Sequence, residues 1–430
     1  MSEQANAVLI KGGRVIDPAS ALDGVRDVRI RDGKIVEVAA DLSAGDDEQV
    51  VDAAGCWVTP GWIDLHVHFR EPGGEHKETI ETGSRSAVAG GFTTVVAMAN
   101  TTPVNDNPAT TAFMIERAQE AGLCRLLPVG AATKGLKGIE LAEISQMVEA
   151  GAAMISDDGI PVMNPAVQRK VFEYCKSLGV PVAIHAEDLE LTAGGAVHEG
   201  QYSVESGLRG IPGASEDIMV VRDIVLARLT GAHLHVAHLS TAGAVESVRA
   251  AKREGLRVTA EVTPHHLALT DREVLRYDTN FKMSPPLRSE SDRQAVIAGL
   301  ADGTIDAVAT DHAPHALSEK EVEFERAPNG VVGLESALPL LLELVRNNLV
   351  PLERAIASVT SAAADILGRS DLGRLAPGAW GDVTVIEPDA TWVFDNAALQ
   401  SKSKNSPFHG REMTGRVRAT IFEGKLVYAL

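Results

Sequence analysis

A histidine pair at the end of an apolar run is the first feature of this sequence that could do chemistry. Residues 61–74 read GWIDLHVHFREPGG, so His66 and His68 are separated by one residue and Arg70 follows two positions later. If residues 63–68 form a strand, its period of two points both imidazoles to one face, and Arg70 too if the strand geometry continues. Imidazole suits zinc, and a guanidinium binds a carboxylate through two parallel hydrogen bonds. The pattern indicates a metal hydrolase for an anionic substrate, although such histidine pairs also occur in strands without a metal.

Side chains that can bind a metal recur at the ends of other apolar runs. The chain has 13 histidines, and four of them stand at the ends of predicted strands. These four are His66, His68, His185 and His238, and the acids at equivalent places are Asp157, Asp158 and Asp311. Nitrogen and carboxylate ligands without thiolates favour Zn²⁺ or a similar divalent ion with an open position for water.

A divalent ion of this kind lowers the pKa of its bound water toward ~7 and so supplies hydroxide as the nucleophile at neutral pH. A nearby carboxylate can take the proton of the water and return it to a leaving nitrogen. Asp311, in ATDHAPH on the last predicted strand, is the candidate for this general base and acid. A helix cap or a simple metal ligand is the alternative interpretation of Asp311.

The segments between these residues alternate strand-like apolar runs with helical patterns, which argues for parallel β/α units. Eight strands are predicted, as in a closed (β/α)8 barrel of the TIM type, where all C-terminal strand ends meet at the face that carries the active site. The polar residues would then share one cleft. A doubly wound open sheet is the structural alternative, but it does not explain the polar residues at the strand ends. The predicted strands are 62–69, 92–100, 125–133, 152–156, 180–185, 233–238, 257–262 and 305–310.

Both ends of the chain contain short strands and hairpin turns. Asp32-Gly33 joins the strand-like segments 28–30 and 35–38, and Asp-Gly is a strong hairpin signal because such turns require positive φ. Glu423-Gly424 lies in a similar context near the other end, and neither end has enough strands for a stable sheet alone. We therefore predict an α/β chain of two domains. Residues 1–58 and 370–430 form a discontinuous β-sandwich domain, and residues 59–369 form the barrel.

Composition limits the classes of function. A chain of 430 residues with 45% hydrophobic content can form a large barrel with an additional small domain. The net charge of -19 argues against nucleic acid or an anionic membrane as a partner. Cys56, Cys124 and Cys175 lack CxxC spacing, which suits a reduced cytosol. Neither a secretory signal nor a membrane helix is recognisable, so the sequence predicts a cytoplasmic protein.

Several motifs together resemble those of the dihydroorotases of the amidohydrolase superfamily. DLHVHFREPG, MANTTP, DDG, HAED, VAHLSTAG, EVTPHH, SPPLR and ATDHAPH occur in this order over essentially the whole chain. The resemblance implies reversible, zinc-dependent hydrolysis of the cyclic amide of (S)-dihydroorotate to N-carbamoyl-L-aspartate in pyrimidine biosynthesis. It implies a small-molecule substrate, and it is compatible with a homodimer and with association with aspartate transcarbamoylase.

The same resemblance implies a metal site. His66 and His68 would bind one metal ion together with Asp311, and His185 and His238 would bind a second.

Many members of the superfamily bridge two metals with a carboxylated lysine at the end of strand four, but no lysine lies within residues 151–164. The chain looks like the dihydroorotase branch with an aspartate there, and Asp158 is favoured because its interval to His185 agrees with that branch. Asp157 would be a structural acid. Without the lysine, one and two zinc ions both remain open.

The resemblance also implies contacts with the substrate, at His68, Arg70, Asn100, Ser284, His315, Asn329 and Gly330. Arg70 would bind the substrate carboxylate, with Asn100 and His315 as further donors. Two positions depart from the family pattern. Ser284 replaces the usual Asn of NPPLR, and Asn329-Gly330 replaces a pair that is often Phe-Gly.

Three other histidines are given structural roles. His265 and His266 follow strand seven, and direct contact with the substrate is the less favoured interpretation for them. His312 should point away from Asp311 by strand alternation.

Two alternative functions remain open at this stage. An allantoinase-like or hydantoinase-like cyclic amidase would share the histidine pair and the late aspartate, but such enzymes generally use the lysine that is missing here. A neutral substrate would also not require Arg70. An inactive dihydroorotase-like scaffold subunit of aspartate transcarbamoylase would typically have lost metal ligands, whereas all of them are present in this chain.

Overall fold

The computed structural model describes residues 7–430. Its strands are β1 (Ala7–Asp17), β2 (Leu22–Arg31), β3 (Lys34–Ala39), β4 (Glu48–Asp52), β5 (Trp57–Pro60), β6 (Trp62–Val67), β7 (Phe92–Ala97), β8 (Arg125–Gly130), β9 (Met154–Ile155), β10 (Val182–Ile184), β11 (Val197–His198), β12 (Gly210–Ile211), β13 (Leu234–Val236), β14 (Val258–Val262), β15 (Ala307–Val308), β16 (Val383–Val393), β17 (Glu412–Phe422) and β18 (Lys425–Ala429).

The helices lie mostly between the strands of the barrel. They are α1 (Ile80–Ala89), α2 (Pro108–Ala121), α3 (Ile144–Glu149), α4 (Pro165–Leu178), α5 (Leu189–Thr192), α6 (Gln201–Ser206), α7 (Ala214–Thr230), α8 (Ala242–Arg253), α9 (Pro264–Ala268), α10 (Glu290–Asp302), α11 (Leu317–Lys320), α12 (Ala337–Arg346), α13 (Leu352–Ser358) and α14 (Ser361–Ile366). Short 3-10 helices occur at Pro18–Ser20, Lys134–Leu136, Asp271–Arg276, Thr279–Phe281, Leu334–Ser336 and Asn396–Ala398.

Eight strands form a nearly closed parallel barrel in the order β6, β7, β8, β9, β10, β13, β14, β15. These strands are short and buried, as expected for a parallel sheet covered by helices. Between β15 and β6 the closure depends on single contacts. Val67 forms a parallel bridge with His312, and the buried Asp64 carboxylate accepts hydrogen bonds from the Thr310 N–H (3.0 Å) and hydroxyl (2.6 Å). The predicted fold class is confirmed.

Helix α4 shows how the sequence sets the ends of a helix. The side chain of Asn164 accepts hydrogen bonds from the N–H groups of Ala166 and Val167, and Pro165 occupies the first helical position. Gly179 ends the helix with φ of 74°, a left-handed conformation that favours glycine. The chain then enters the barrel again at β10.

The second sheet joins both ends of the described chain, in the order β18, β17, β16, β5, β1, β2, β3, with β4 parallel to β1. It is one continuous sheet that folds back on itself, because Gly381 N–H donates to the Gly33 carbonyl (2.8 Å) and Ile35 N–H donates to the Ala379 carbonyl (2.9 Å). An apolar core that includes Ile30 lies inside the fold. The predicted domain limits at residues 58 and 370 stay a prediction.

Two further observations concern the whole described chain. None of its helices is both long enough and apolar enough to cross a lipid bilayer. Cys56, Cys124 and Cys175 are buried and unpaired, and burial raises the pKa of the Cys175 thiol to about 12.

Candidate active site

The C-terminal ends of the barrel strands bring the predicted polar residues together. His66 belongs to β6 and His68 follows its last residue, while Asp158, His185, His238 and Asp311 follow β9, β10, β13 and β15. All six side chains are buried.

Asp158 lies at the centre of this group. Its Oδ2 atom is 3.3 Å from His66 Nε2 and 3.5 Å from His68 Nε2. Its Oδ1 atom is 3.3 Å from His238 Nε2 and 3.5 Å from His185 Nδ1. One carboxylate therefore faces two histidine pairs, and each pair with Asp158 has the composition and spacing of a metal site.

Asp311 stands beside the first histidine pair. Its Oδ1 atom lies 3.1 Å from His68 Nε2 and 3.7 Å from His66 Nε2. The backbone of Asp311 has φ of 47°, and that of His238 has φ of 32°. Positive φ is uncommon for residues other than glycine and is often retained at functional sites.

Three of the histidines contact an acceptor on their outer side, and this contact determines which ring nitrogen faces the cluster. His66 Nδ1 is 2.9 Å from Glu261 Oε1, His68 Nδ1 is 2.9 Å from Asn100 Oδ1, and His185 Nε2 is 2.7 Å from Glu187 Oε2. If these outward nitrogens carry the protons, the opposite nitrogens present lone pairs to the centre.

The group fits a divalent metal ion. His66 Nε2 is buried and has no hydrogen-bond partner among residues 7–430, although it points toward two carboxylates. Burial alone would raise the pKa of Asp158 and Asp311, but the neighbouring histidines outweigh it and hold both pKa values below the usual range. Ionised carboxylates with imidazole nitrogens, without thiolates, are a donor set for zinc and similar ions.

A cleft of about 210 Å³ opens from this cluster. Seven of its lining residues are those for which the sequence predicts substrate contacts: His68, Arg70, Asn100, Ser284, His315, Asn329 and Gly330. Glu187, Gly159 and Ala313 also line it, and the sequence analysis did not single these out.

Arg70 reaches the cleft by a different route from the one expected. Strand β6 ends at Val67, and Arg70 has φ of 61°, so the strand geometry does not continue to it. Its Nε donates to the Pro314 carbonyl (3.2 Å), and no carboxylate of residues 7–430 lies within 4.0 Å of its guanidinium. Burial lowers the pKa of Arg70. Among the described residues Arg70 thus has no carboxylate partner, and its charge is available to an anionic ligand.

His315 stands next to Arg70 as a neutral side chain. Burial and the nearby Arg70 charge lower the pKa of His315 to about 3. Its Nε2 lies 2.8 Å from the Asn329 carbonyl, which fixes it as the N–H donor. Its Nδ1 is buried and has no hydrogen-bond partner in the described part of the chain.

Comparison with known proteins decides the family. The model of the Dihydro-orotase-like family matches residues 55–244, and that of the Amidohydrolase family matches residues 228–428. A dihydroorotase of Anaeromyxobacter dehalogenans is 53% identical over 99% of this chain and 98% of the relative, and one of Solibacter usitatus is 53% identical over 98% of each. The chain belongs to the dihydroorotase family.

Solved structures agree with the fold. The L-hydantoinase (dihydropyrimidinase) of Arthrobacter aurescens superposes with a TM-score of 0.88 at 25% identity, over 98% of this chain and 97% of that one. The dihydropyrimidinase of Brevibacillus agri has a TM-score of 0.84 at 23% identity, over 98% and 95%, and supports the fold alone. This dihydroorotase-family chain is a cyclic amide hydrolase, and its family and its histidine and aspartate groups imply a metal.

The first aspartate of the DDG motif in this dihydroorotase-family chain, Asp157, is turned away from the cluster. Asp157 Oδ1 accepts hydrogen bonds from the N–H groups of Ala132 (2.8 Å) and Thr133 (3.0 Å), and the Thr133 hydroxyl also donates to this carboxylate. Burial raises the pKa of Asp157 to about 6. Asp157 therefore joins two strand ends.

Three other histidines have partners outside the cluster. His312 Nε2 is 3.3 Å from Glu78 Oε2, so the ring lies away from Asp311. His266 lies between the Thr263 hydroxyl (2.7 Å) and the Pro285 carbonyl (3.1 Å). His265 is buried against the His266 ring, with 4.7 Å between ring centroids, and does not line the cleft.

The dihydroorotase-family site contains two acids that the sequence analysis missed. Glu261 is buried between His66 and His235, with its Oε2 atom 3.1 Å from His235 Nε2. Burial opposes ionisation of Glu261, but the bonds from His235 and His66 lower its pKa to about 2. A charged residue inside the apolar run 257–262 was the available signal for Glu261. Glu187 lies in the HAED motif only two residues after His185, and the sequence pattern gave it no role distinct from that of the histidine.

Proposed function

We propose that this protein catalyses the reversible, zinc-dependent hydrolysis of the cyclic amide of (S)-dihydroorotate to N-carbamoyl-L-aspartate, as a step of pyrimidine biosynthesis. One observation carries the proposal. At its base the cleft has histidines and aspartates that could hold a metal ion, and at its side it has the Arg70 guanidinium without an ion-pair partner. A cyclic amide that carries a carboxylate matches both features.

In this proposal His66, His68 and Asp311 would hold one zinc ion, and His185 and His238 would hold a second. Asp158 lies between the two pairs and would serve both, in place of the carboxylated lysine that this chain lacks. Bound Zn²⁺ would supply a Lewis acid for the amide carbonyl and a lowered pKa for the attacking water.

Asp311 is the proposed general base and acid. Burial opposes ionisation of its carboxyl group, but the contacts with His66 and His68 lower its pKa below the usual range, so it is ionised at neutral pH. It accepts a proton from the water whose oxygen adds to the amide carbonyl carbon. When the ring C–N bond breaks, Asp311 returns that proton to the leaving nitrogen. The reverse reaction follows the same path.

The remaining cleft residues would position the substrate. Arg70 pairs with the substrate carboxylate, and Asn100 and Ser284 supply uncharged polar groups. The His68 ring and the neutral His315 ring border the same space, and the Asn329-Gly330 backbone offers further polar atoms. Asn329 replaces the aromatic residue that is often found at this position in the family, and this replacement leaves the backbone groups in place.

A metal analysis and an assay of dihydroorotate hydrolysis on one preparation test the proposal. We expect one or two zinc ions per chain, turnover that a chelator abolishes, and recovery on addition of Zn²⁺. Zinc-containing protein that is inactive, alone and with aspartate transcarbamoylase, would instead indicate a scaffold subunit.

A second candidate substrate class is favoured by one observation, the similarity to the hydantoinase structure. Parallel assays with hydantoin and allantoin separate the two. Turnover of either compound without turnover of dihydroorotate would contradict the proposal. Arg70 supports dihydroorotate, because a neutral ring leaves this buried cation without a partner.

Assembly and location stay predictions. A homodimer and association with aspartate transcarbamoylase are both compatible with the family, and light scattering of the protein alone and mixed with that enzyme would test them. A cytoplasmic location is proposed on the three unpaired cysteines, and cell fractionation would test it.

A further inference from the structure

A second cavity, of about 320 Å³, lies between helix α12 and the folded terminal sheet. It shares no lining residue with the catalytic cleft. Leu338 of α12 and Val417 of β17 contribute apolar walls, and Trp392, Arg416 and Tyr428 contribute aromatic and charged surface. Its size lies within the range of small-molecule sites, which combine apolar walls with a few polar groups.

Arg416 is a cation without a carboxylate partner in this cavity. Its guanidinium carbon lies 5.1 Å from the centroid of the Trp392 ring. Its neighbour across the strands, Glu387, pairs instead with Arg418 at 2.8 Å. No carboxylate of residues 7–430 lies within 4.0 Å of the Arg416 guanidinium nitrogens.

The ring beside Arg416 is held in place. Trp392 Nε1 donates to the Gly415 carbonyl at 3.0 Å, on the strand that also carries Arg416. Two acidic side chains line the cavity, and both have partners. The exposed Asp395 accepts a hydrogen bond from the Ala397 N–H through its Oδ1 atom (2.9 Å). The other acid is the half-buried Glu335. Its carboxylate accepts hydrogen bonds from the N–H groups of Gln400 (2.9 and 3.0 Å) and Ser401 (3.2 Å).

We propose that this cavity binds a small planar organic anion of the aromatic carboxylate type. The guanidinium of Arg416 can bind a carboxylate through two parallel hydrogen bonds. Trp392 and Tyr428, which both line the cavity, supply aromatic surface for a flat ring. Tyr428 and the apolar walls enclose the remainder of the ligand.

The cavity is close to the catalytic cleft through one segment, residues 400–405. Gln400 lines the cavity, whereas Asn405 accepts from the His315 N–H (3.0 Å) and donates to the carbonyls of Ala313 (3.0 Å) and Gly330 (3.1 Å). The cleft has its own cation, Arg70, which can also bind a carboxylate. A binding experiment must therefore separate the two sites.

Calorimetric titration of the zinc-loaded protein with 2-naphthoate tests the proposal. We expect saturable binding that the Arg70→Ala variant retains and that Arg416→Met weakens at least about tenfold, the scale of a lost charge-assisted hydrogen bond. The neutral 2-naphthamide should bind at least about tenfold more weakly than 2-naphthoate to the wild type.

Arg26→Met is the matched control, because Arg26 is an exposed arginine of the same sheet whose side chain donates only to the neighbouring Val25 carbonyl. This variant should bind 2-naphthoate like the wild type. Three results would overturn the proposal: no binding at millimolar ligand, equal affinity in Arg416→Met, or loss of binding in Arg70→Ala. Turnover of dihydroorotate by Arg416→Met reports separately on the proposed function.

Discussion

At Asp158 a single carboxylate lies between two histidine pairs. Its Oδ2 atom lies within 3.5 Å of a ring nitrogen of both His66 and His68. Its Oδ1 atom lies within 3.5 Å of a ring nitrogen of both His185 and His238. The adjacent Asp157 has the same chemistry but bonds to backbone N–H groups of Ala132 and Thr133 instead. Asp157 and Asp158 thus differ in role because their side chains reach different partners after β9.

Asp311→Asn should separate metal binding from turnover. The amide retains an oxygen for the metal but cannot accept the proton of water, so we expect kcat to fall by about 10²–10⁴-fold, the usual contribution of a general base. Zinc content, measured on the same sample, should remain substantial. A near-normal kcat would place the base elsewhere.

Glu261→Gln should lower the affinity for the metal ion through its effect on His66. Glu261 fixes the ring of His66 through a 2.9 Å contact with Nδ1, and such outer partners typically contribute 10–100-fold to metal affinity. We expect a loss of about that size for the first zinc ion, measured by competition with a chelator. Glu187→Gln is the matched comparison, because Glu187 contacts His185 and should affect the second ion instead. Equal effects on both ions would contradict separate roles.

Arg70→Ala should act on substrate binding more than on chemistry. Removing a charged hydrogen-bond donor costs about 1.5–3 kcal/mol, so KM for dihydroorotate should rise at least about tenfold. Arg85→Ala is the control, since Arg85 lies in an exposed ion pair with Glu81 on α1. If KM is unchanged in both variants, Arg70 does not bind the substrate carboxylate.

At the scale of elements, a buried lysine connects three segments beside the cleft. Lys320, at the end of α11, donates to the carbonyls of Thr279 (3.0 Å), Lys282 (3.3 Å) and Pro328 (2.8 Å). Pro328 directly precedes the Asn329-Gly330 pair of the cleft. The lysine therefore helps to hold the loop that borders the substrate.

Lys320 should make stability depend on pH above neutrality. Burial lowers the pKa of Lys320 from 10.5 to about 7. Between these values the unfolded chain binds the proton and the folded chain releases it, so stability rises with pH. Relative to Lys320→Met, the wild type should gain up to about 2 kcal/mol in its free energy of unfolding between about pH 7.5 and 9.5, measured by urea denaturation. Parallel pH profiles for the two proteins would show that Lys320 keeps an ordinary pKa.

The barrel strands could be predicted from sequence because each is a local apolar run, such as Phe92–Ala97, followed by a polar residue. The same logic located His185 and Asp311. The contact between His66 and Glu261 joins residues 195 positions apart, and no local pattern reports it. The positive φ of Arg70 could not be predicted from the sequence either, because it depends on the path of the backbone after β6 and not on residue type.

At the scale of the whole molecule, Arg125 joins the barrel to the terminal sheet. It begins β8 and pairs with Asp382 (2.7 Å) and Glu423 (2.8 Å), both contributed by the C-terminal part of the chain. Its guanidinium also lies 4.9 Å from the centroid of the Trp380 ring. Arg125 and Asp382 are largely buried, so the contact differs from the many exposed ion pairs of this acidic chain. The two sheets depend on each other electrostatically as well as through packing.

Arg125→Met should therefore destabilise the whole molecule, because it leaves the Asp382 carboxylate buried without its cation. Breaking a buried pair costs about 3 kcal/mol, whereas Arg169→Met, which removes an exposed pair with Glu173 on α4, should cost less than about 0.5 kcal/mol. Burial already raises the pKa of Asp382, and loss of Arg125 should raise it further. The penalty should then shrink from about pH 7 to about pH 5, as protonation removes the unpaired charge. Urea midpoints of the three proteins at both pH values measure this, and a pH-independent loss would contradict the role of Asp382.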